Sequence, residues 1–134
     1  MSEPMLLPVK SVLTGVLLVF LVVLSAMVTA RRAALGGIQF GDADDDVLRR
    51  RIRAHANFVE ITPMIILGIG LMELAGAPSA LLWGFATVFL IGRFLHFLRM
   101  SVGNPWIGLF SIITQHVICL WAGGWLLYHA LFAA

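Results

Sequence analysis

Long apolar segments alternate with short polar ones along the whole chain. Four of them are continuous enough to form helices, at about residues 8–30, 54–74, 79–98 and 106–127. A helix needs about 20 predominantly apolar residues to cross a hydrocarbon core about 30 Å thick, and each segment meets that length. Because the segments take up most of the 134 residues, the pattern predicts one membrane domain of four transmembrane helices.

The polar connections predict how these helices are joined. Gly76 and Pro78 mark a tight turn between the second and third helices, with Ser79 as the expected N-cap of the third. The pair Asn104-Pro105 ends the third helix and opens the fourth. Short turns make neighbouring helices antiparallel, so the expected fold is an all-α, up-down bundle of four transmembrane helices.

Composition and charge agree with a membrane location and predict an orientation. Hydrophobic residues make up 60% of the chain and charged residues 12%, and the mean hydropathy is +0.99. The arginines lie in and beside the connection after the first helix and at the turn after the third. Because basic residues favour the cytoplasmic side of a membrane, these connections are expected inside and both termini outside. A basic cluster that adjoins lipid does not favour nucleic-acid binding. The basic residues that decide this orientation are Arg31, Arg32, Arg49, Arg50, Arg51, Arg53 and Arg99.

One face of the second helix is polar where the helix enters the membrane. At 100° per residue, Arg49, Arg53, Asn57 and Glu60 lie within about 80° of one another. A carboxylate as deep as that of Glu60 costs roughly 2.5–3.5 kcal/mol, so it normally faces protein and has a cationic partner. We therefore predict a function for Arg53, Asn57 and Glu60, whereas Arg49 and its neighbours are explained as orientation signals that bind headgroups.

The third helix contributes a second polar face. Arg93, His96 and Met100 lie within about 60° of one another, and the first helix ends in Arg31 and Arg32. Guanidinium groups bind carboxylates in bidentate fashion, a carboxylate binds an ammonium group, and an amide can both donate and accept. Together, the polar groups of the three helices suit a ligand that carries carboxylates and an amine.

These segments resemble the MAPEG family, the membrane-associated proteins in eicosanoid and glutathione metabolism. The stretch "RAHANFVEITP", residues 53–63, is similar to the family's second-helix pattern Arg-Ala-x-x-Asn-x-x-Glu followed by proline. The stretches "TARRAALG" and "GRFLHFLR" resemble segments of its first and third helices. Pro105 followed by Gln115 is similar to the start of its fourth helix. The resemblance extends over essentially the whole chain.

The resemblance implies a homotrimer in the lipid bilayer, with glutathione bound between neighbouring subunits on the cytoplasmic side. It also implies conjugation of glutathione to lipophilic electrophiles, or reduction of lipid hydroperoxides, after a nearby cation has stabilised the thiolate. Arg32 matches an arginine with a mechanistic role in some members, so it is the expected catalytic residue. The positions that match glutathione contacts are Arg31, Arg53, Asn57, Glu60, Arg93 and His96.

Three positions depart from the pattern of members with proven catalysis. Ile61 and Met100 stand where those members have tyrosines, and Ile107 stands near the place of an arginine that stabilises the thiolate. The charge on the sulfur would then be stabilised by Arg31, Arg32, Arg93 or Arg99. The short turn after the third helix is similar to that of bacterial-type members, which implies a location in a bacterial inner membrane.

Two other functions stay open at this stage. A small multidrug-type transporter would also have four spans and a membrane carboxylate. In such transporters that carboxylate lies centrally in a sparsely charged bundle, whereas Glu60 is beside Arg53. A non-catalytic scaffold or lipid-binding bundle would need neither Asn57 nor Glu60 for its function.

No metal site is expected. The run "DADDD" at residues 42–46 suggests a calcium loop, but Val47 and Arg53 stand where such a loop needs a glycine and a bidentate glutamate. These aspartates are instead expected to cap the second helix, whose dipole favours negative charge at its start.

Overall fold

The computed structural model describes residues 6–102 and 105–132. Its helices are α1 (Pro8–Ala34), α2 (Asp46–Leu74), α3 (Ser79–Val102) and α4 (Pro105–Phe132). Over the described residues there is no strand, and each helix is long and apolar enough to cross a membrane. The predicted all-α fold of four transmembrane helices is confirmed.

A carboxylate cap decides where α2 begins. The Asp45 side chain accepts a hydrogen bond of 2.6 Å from the Leu48 backbone N–H, so the helix begins at Asp46, well before the apolar segment predicted from residue 54. Aspartate is among the best N-cap residues because it satisfies an N–H group that has no partner within the helix. The prediction that an aspartate caps this helix is confirmed.

The other helix starts give a mixed result. Ser79 is already the first residue of α3, and the carbonyl of Pro78 accepts the backbone N–H of Leu82 at 3.2 Å. The prediction of Ser79 as the N-cap is therefore wrong. α4 begins at Pro105, where the missing N–H of proline costs no helical hydrogen bond. Asn104 lies outside the described residues.

α2 and α3 form the centre of the bundle. Each of them packs against the other three helices, while in the described part of the chain α1 and α4 are not in contact. The most deeply buried large side chains between the helices are apolar. Because protein interiors are close-packed, truncating one of them would leave a cavity. They include Val9, Leu13, Leu17, Ile69, Met72, Leu82 and Phe89.

The outer surface of the bundle is apolar, as contact with lipid requires. Val19 and Val22 on α1 and Leu120 on α4 are each more than 65% exposed, at 67%, 68% and 77%.

At the end of α2, the carboxylate of Glu73 accepts the backbone N–H groups of Val9 and Lys10 at 2.8 and 2.9 Å. Glu73 thereby caps the start of α1 and joins the two helices at that side of the bundle.

Candidate functional site

A stripe of exposed residues runs along one face of α2. Its members are spaced alternately four and three residues apart, which keeps them on one side of a helix. Asn57 is half-buried and the other members are exposed. Within the described residues, neither Arg53 nor Glu60 has an ion pair. We call this set the α2 stripe: Arg53, Asn57, Glu60, Met64, Leu67 and Leu71.

Arg93 connects the α2 stripe to the interior. Its Nη1 donates to Oδ1 of Asn57 at 2.8 Å, and its Nη2 donates to Oγ of Ser111 at 3.0 Å and to Oε1 of Gln115. The side chain is 3% exposed, and its guanidinium lies 5.2 Å from the ring centroid of Phe89. One arginine of α3 therefore holds polar side chains of both α2 and α4.

In the part of the chain that the structure describes, no opposite charge balances Arg93. Its three acceptors are two amides and a hydroxyl, all neutral, and among the described residues it forms no ion pair. A buried charge without a counter-charge is costly, because the attraction to an opposite charge does not offset its desolvation. The arrangement favours an anion close to this part of the bundle.

His96 lies one helical turn from Arg93 and is also buried, at 6% exposed. Both of its ring nitrogens, and Nε of Arg93, have no hydrogen-bond partner among the described residues. The two side chains border a cavity with Phe20, Phe58 and Phe97. Phe20 packs edge-on against each of the other two rings, at centroid distances of 5.6 and 5.8 Å. Phe58 belongs to the hydrophobic core and the other two rings pack against it, so the polar cluster directly adjoins the core.

Arg31 is engaged at the start of α2. Its Nε and Nη2 donate to the two carboxylate oxygens of Asp45 at 3.1 and 2.6 Å, in bidentate geometry. This contact is the main cause that lowers the pKa of Asp45 to about 2, and the hydrogen bond from Leu48 N–H adds to it. Arg31 thus stabilises the connection between α1 and α2.

The other arginines near the end of α1 and the start of α2 differ in how firmly they are held. Arg32 makes one long hydrogen bond, 3.4 Å, from Nη1 to the carbonyl of Ile38. Arg51 donates to the carbonyl of Met27 at 2.8 Å. Arg49 pairs with a group of aspartates, which includes Asp42 at 2.7 Å, and this ion pair lowers the pKa of Asp42. Of the two arginines that end α1, Arg32 is therefore the less firmly held and the more available to contact a ligand.

An apolar groove between α1 and α2 comes close to the α2 stripe. Its volume is ≈ 330 Å³, and it is lined by Leu17, Leu18 and Leu21 of α1 and by Phe58 and Val59 of α2, with other residues further along. Val59 immediately precedes Glu60 in α2. The groove could hold an apolar chain beside the polar residues of the stripe.

The structure brings together only part of the predicted set. Asn57 and Arg93 are in direct contact, and His96 is next to Arg93, whereas Arg31 is paired elsewhere. Ser111 was not among the predicted site residues, and Gln115 appeared only in the resemblance of the fourth helix. Their spacing of four residues in a mostly apolar helix was the available signal, because it puts both on one face.

Residues 11–132 match the MAPEG family. The chain belongs to this family. The matched range starts within α1 and ends with α4, so it includes nearly all of the four-helix bundle. No curated protein and no solved structure matches the chain.

In this MAPEG protein, two of the three residues that depart from the pattern of catalytic members make apolar contacts. Ile61 and Met100 are half-buried and pack against the hydrophobic core. The side chain of Ile107 is outside the described part of the structure. Arg99 lies against Gly108, close enough that a Cβ at that position would overlap with the arginine side chain. An arginine of α3 thus reaches the first turn of α4.

Proposed function

We propose that this protein binds glutathione at the α2 stripe and uses it as a glutathione transferase or peroxidase that acts on lipophilic electrophiles or lipid hydroperoxides. The observation that carries the proposal is a pair of opposite charges, Arg53 and Glu60, exposed on a membrane helix with no ion-pair partner among the described residues. Charges at that position need a counterpart, because leaving them in hydrocarbon is costly.

The chemistry of glutathione complements that face. Arg53 supplies a bidentate donor for a carboxylate, Glu60 an acceptor for an ammonium group, and Asn57 an amide for a peptide group. When bound, glutathione supplies a thiol that acts, as the thiolate, on the electrophile or hydroperoxide. Arg93 holds Asn57 from the interior of the bundle, and Arg32 is the proposed catalytic arginine. Membership of the MAPEG family supports this assignment.

A second copy of the chain is the proposed cover for the rest of the α2 stripe. Beyond Glu60 the stripe continues as apolar side chains, with Met64 64% exposed and Leu67 48% exposed. We propose a homotrimer in which neighbouring subunits meet along this face and enclose the ligand on the cytoplasmic side. The groove between α1 and α2 would receive the lipophilic substrate.

Glutathione binding to detergent-purified protein, measured by calorimetry, tests the proposal. We expect Glu60→Gln to weaken binding by about 1.5–3 kcal/mol, the range for a hydrogen bond to a charged group. Asp44→Asn is the matched control, since it makes the same chemical change at a fully exposed position in the connection before α2. That control should bind as the wild type does.

Conjugation and hydroperoxide-reduction assays on the same preparations complete the test. Turnover that falls in Glu60→Gln and Arg32→Ala, but not in Asp44→Asn, would support an enzyme. A folded wild-type protein that binds no glutathione would overturn the proposal and leave the transporter and the non-catalytic bundle as candidates.

A further inference from the structure

The hydrogen-bonding capacity of Arg93 determines which way the Asn57 amide faces. A guanidinium group has five N–H donors and no acceptor, so it can only contact the oxygen of a carboxamide. The 2.8 Å contact from Nη1 therefore identifies the inward atom of Asn57 as Oδ1. The Nδ2 group is left at the other end of the planar amide, and it donates to no described residue.

Arg93 is itself held from the opposite side. Ser111 and Gln115 accept both contacts of Nη2, and the guanidinium lies over the ring of Phe89. Arg93 cannot move outwards past Asn57, to the exposed surface of the α2 stripe, without breaking its two hydrogen bonds to α4. Arg93 is thus fixed from α4 and, in turn, fixes Asn57 on α2.

We propose that Arg93 is a positioning residue: it holds Oδ1 of Asn57 so that this amide presents only its Nδ2 donor to the ligand. Asn57 then selects an acceptor oxygen, a carbonyl or a carboxylate, and rejects an N–H group at the same place. This inference rests on the proposed function, because it concerns the same ligand. It separates Arg93 from residues such as Arg53, which contact the ligand themselves.

A double-mutant cycle on glutathione binding tests this role. The proteins are the wild type, Asn57→Ala, Arg93→Met and the double variant, with calorimetry as the readout. Methionine keeps an unbranched chain over Phe89 and removes both the donors and the charge. We expect Arg93→Met to weaken binding about tenfold in the wild-type background and less than about twofold when Asn57 is already alanine.

Two further variants keep the test decisive. If Arg93→Met does not fold, Arg93→Lys replaces it in the cycle, because lysine keeps the charge but loses the planar fork that contacts α2 and α4 together. It should weaken binding by less than about tenfold, and only while Asn57 is present. Asn57→Asp keeps an acceptor for Arg93 and removes the Nδ2 donor. We expect it to preserve thermal stability while it loses glutathione affinity, a separation that a merely structural role for this pair would not produce.

The outcomes distinguish this inference from the proposed function. Equal losses from Arg93→Met in both backgrounds, in a protein that binds glutathione, would mean that Arg93 acts on the ligand directly. Unchanged affinity in Asn57→Asp would mean that the ligand does not need the Nδ2 donor. Either result would overturn this inference alone. No glutathione binding by a folded wild type would overturn the proposed function and this inference with it.

Discussion

Asp45 stabilises two parts of the chain with one carboxylate. It caps α2 through Leu48 N–H and forms a bidentate ion pair with Arg31 at the end of α1. Its pKa is lowered to about 2, below the value of roughly 3.9 in an unfolded chain. Because the folded-state pKa is the lower one, this stabilisation is complete above about pH 4 and is lost as the pH falls through about 2.

The variant Asp45→Asn isolates the ion pair, since asparagine is an equally good N-cap. We expect the wild type to unfold at a higher temperature than this variant at pH 6, and the difference to shrink as the pH approaches 2. Thermal unfolding in detergent across that range is the measurement. Asp44→Asn should show no such gap. A difference that stays constant down to pH 2 would contradict the role of the ionised carboxylate.

Side-chain positions were predictable from the sequence only where they depend on one helix. Arg53, Asn57 and Glu60 share a face because helical periodicity alone decides it. The direction of Arg93 depends on how α3 is rotated relative to α2 and α4, and no local pattern reports that rotation. The partner of Arg31 depends on the path of the connection to α2, which turns at glycines with positive φ, Gly36, Gly37 and Gly41.

Between elements, Glu73 is the clearest link that the sequence did not reveal. It lies at the end of α2 and accepts two N–H groups of the first turn of α1. Those groups have no partner within their own helix. Glu73→Ala should therefore lower the free energy of unfolding by about 1–3 kcal/mol, the cost of leaving such donors unsatisfied. The free energy of unfolding of Glu73→Gln should lie between those of the wild type and Glu73→Ala, because glutamine keeps one good acceptor oxygen.

Denaturant unfolding in detergent measures this loss, and amide hydrogen exchange at Val9 and Lys10 locates it. Glu60→Gln is the matched control for Glu73→Gln, because it makes the same substitution on the same helix. The Glu60 side chain is exposed and has no ion pair in the described part of the chain. It should leave stability unchanged while it reduces glutathione binding. Faster exchange at Val9 in both variants alike would contradict a specific cap by Glu73.

Helix existence was predictable because four apolar segments of sufficient length leave few alternatives, but helix ends were not. α2 begins at Asp46 although its first two turns are rich in charge and contain too few apolar residues, Val47, Leu48 and Ile52, to extend the apolar segment. The cap by Asp45 and the ion pairs of Arg49 stabilise those turns. These contacts form only when the connection between α1 and α2 is folded. The continuation of α2 through Pro63 is likewise supported by packing with α1, α3 and α4.

On the scale of the whole molecule, the α2 stripe predicts how the subunits of the proposed homotrimer meet. The alternation of four and three residues is that of helices packed around a common axis, where identical residues of neighbouring copies face each other. Leu67 is in the apolar part of this stripe. In a homotrimer arranged about the α2 helices, a cysteine at this position should lie within disulfide range of its copies.

Leu67→Cys in a Cys119→Ser background tests this arrangement by oxidation and non-reducing electrophoresis. The native cysteine must be removed because it lines the same groove between α2 and α4 as Leu67. With one cysteine per subunit, a trimer can close only one disulfide, so we expect a cross-linked dimer with one chain in three left as monomer. Leu120→Cys, on the exposed face of α4, is the control and should remain monomeric. Cross-linking at Leu120 and not at Leu67 would place the subunit contact on α4 and would leave the charges of Arg53 and Glu60 to be covered by ligand alone.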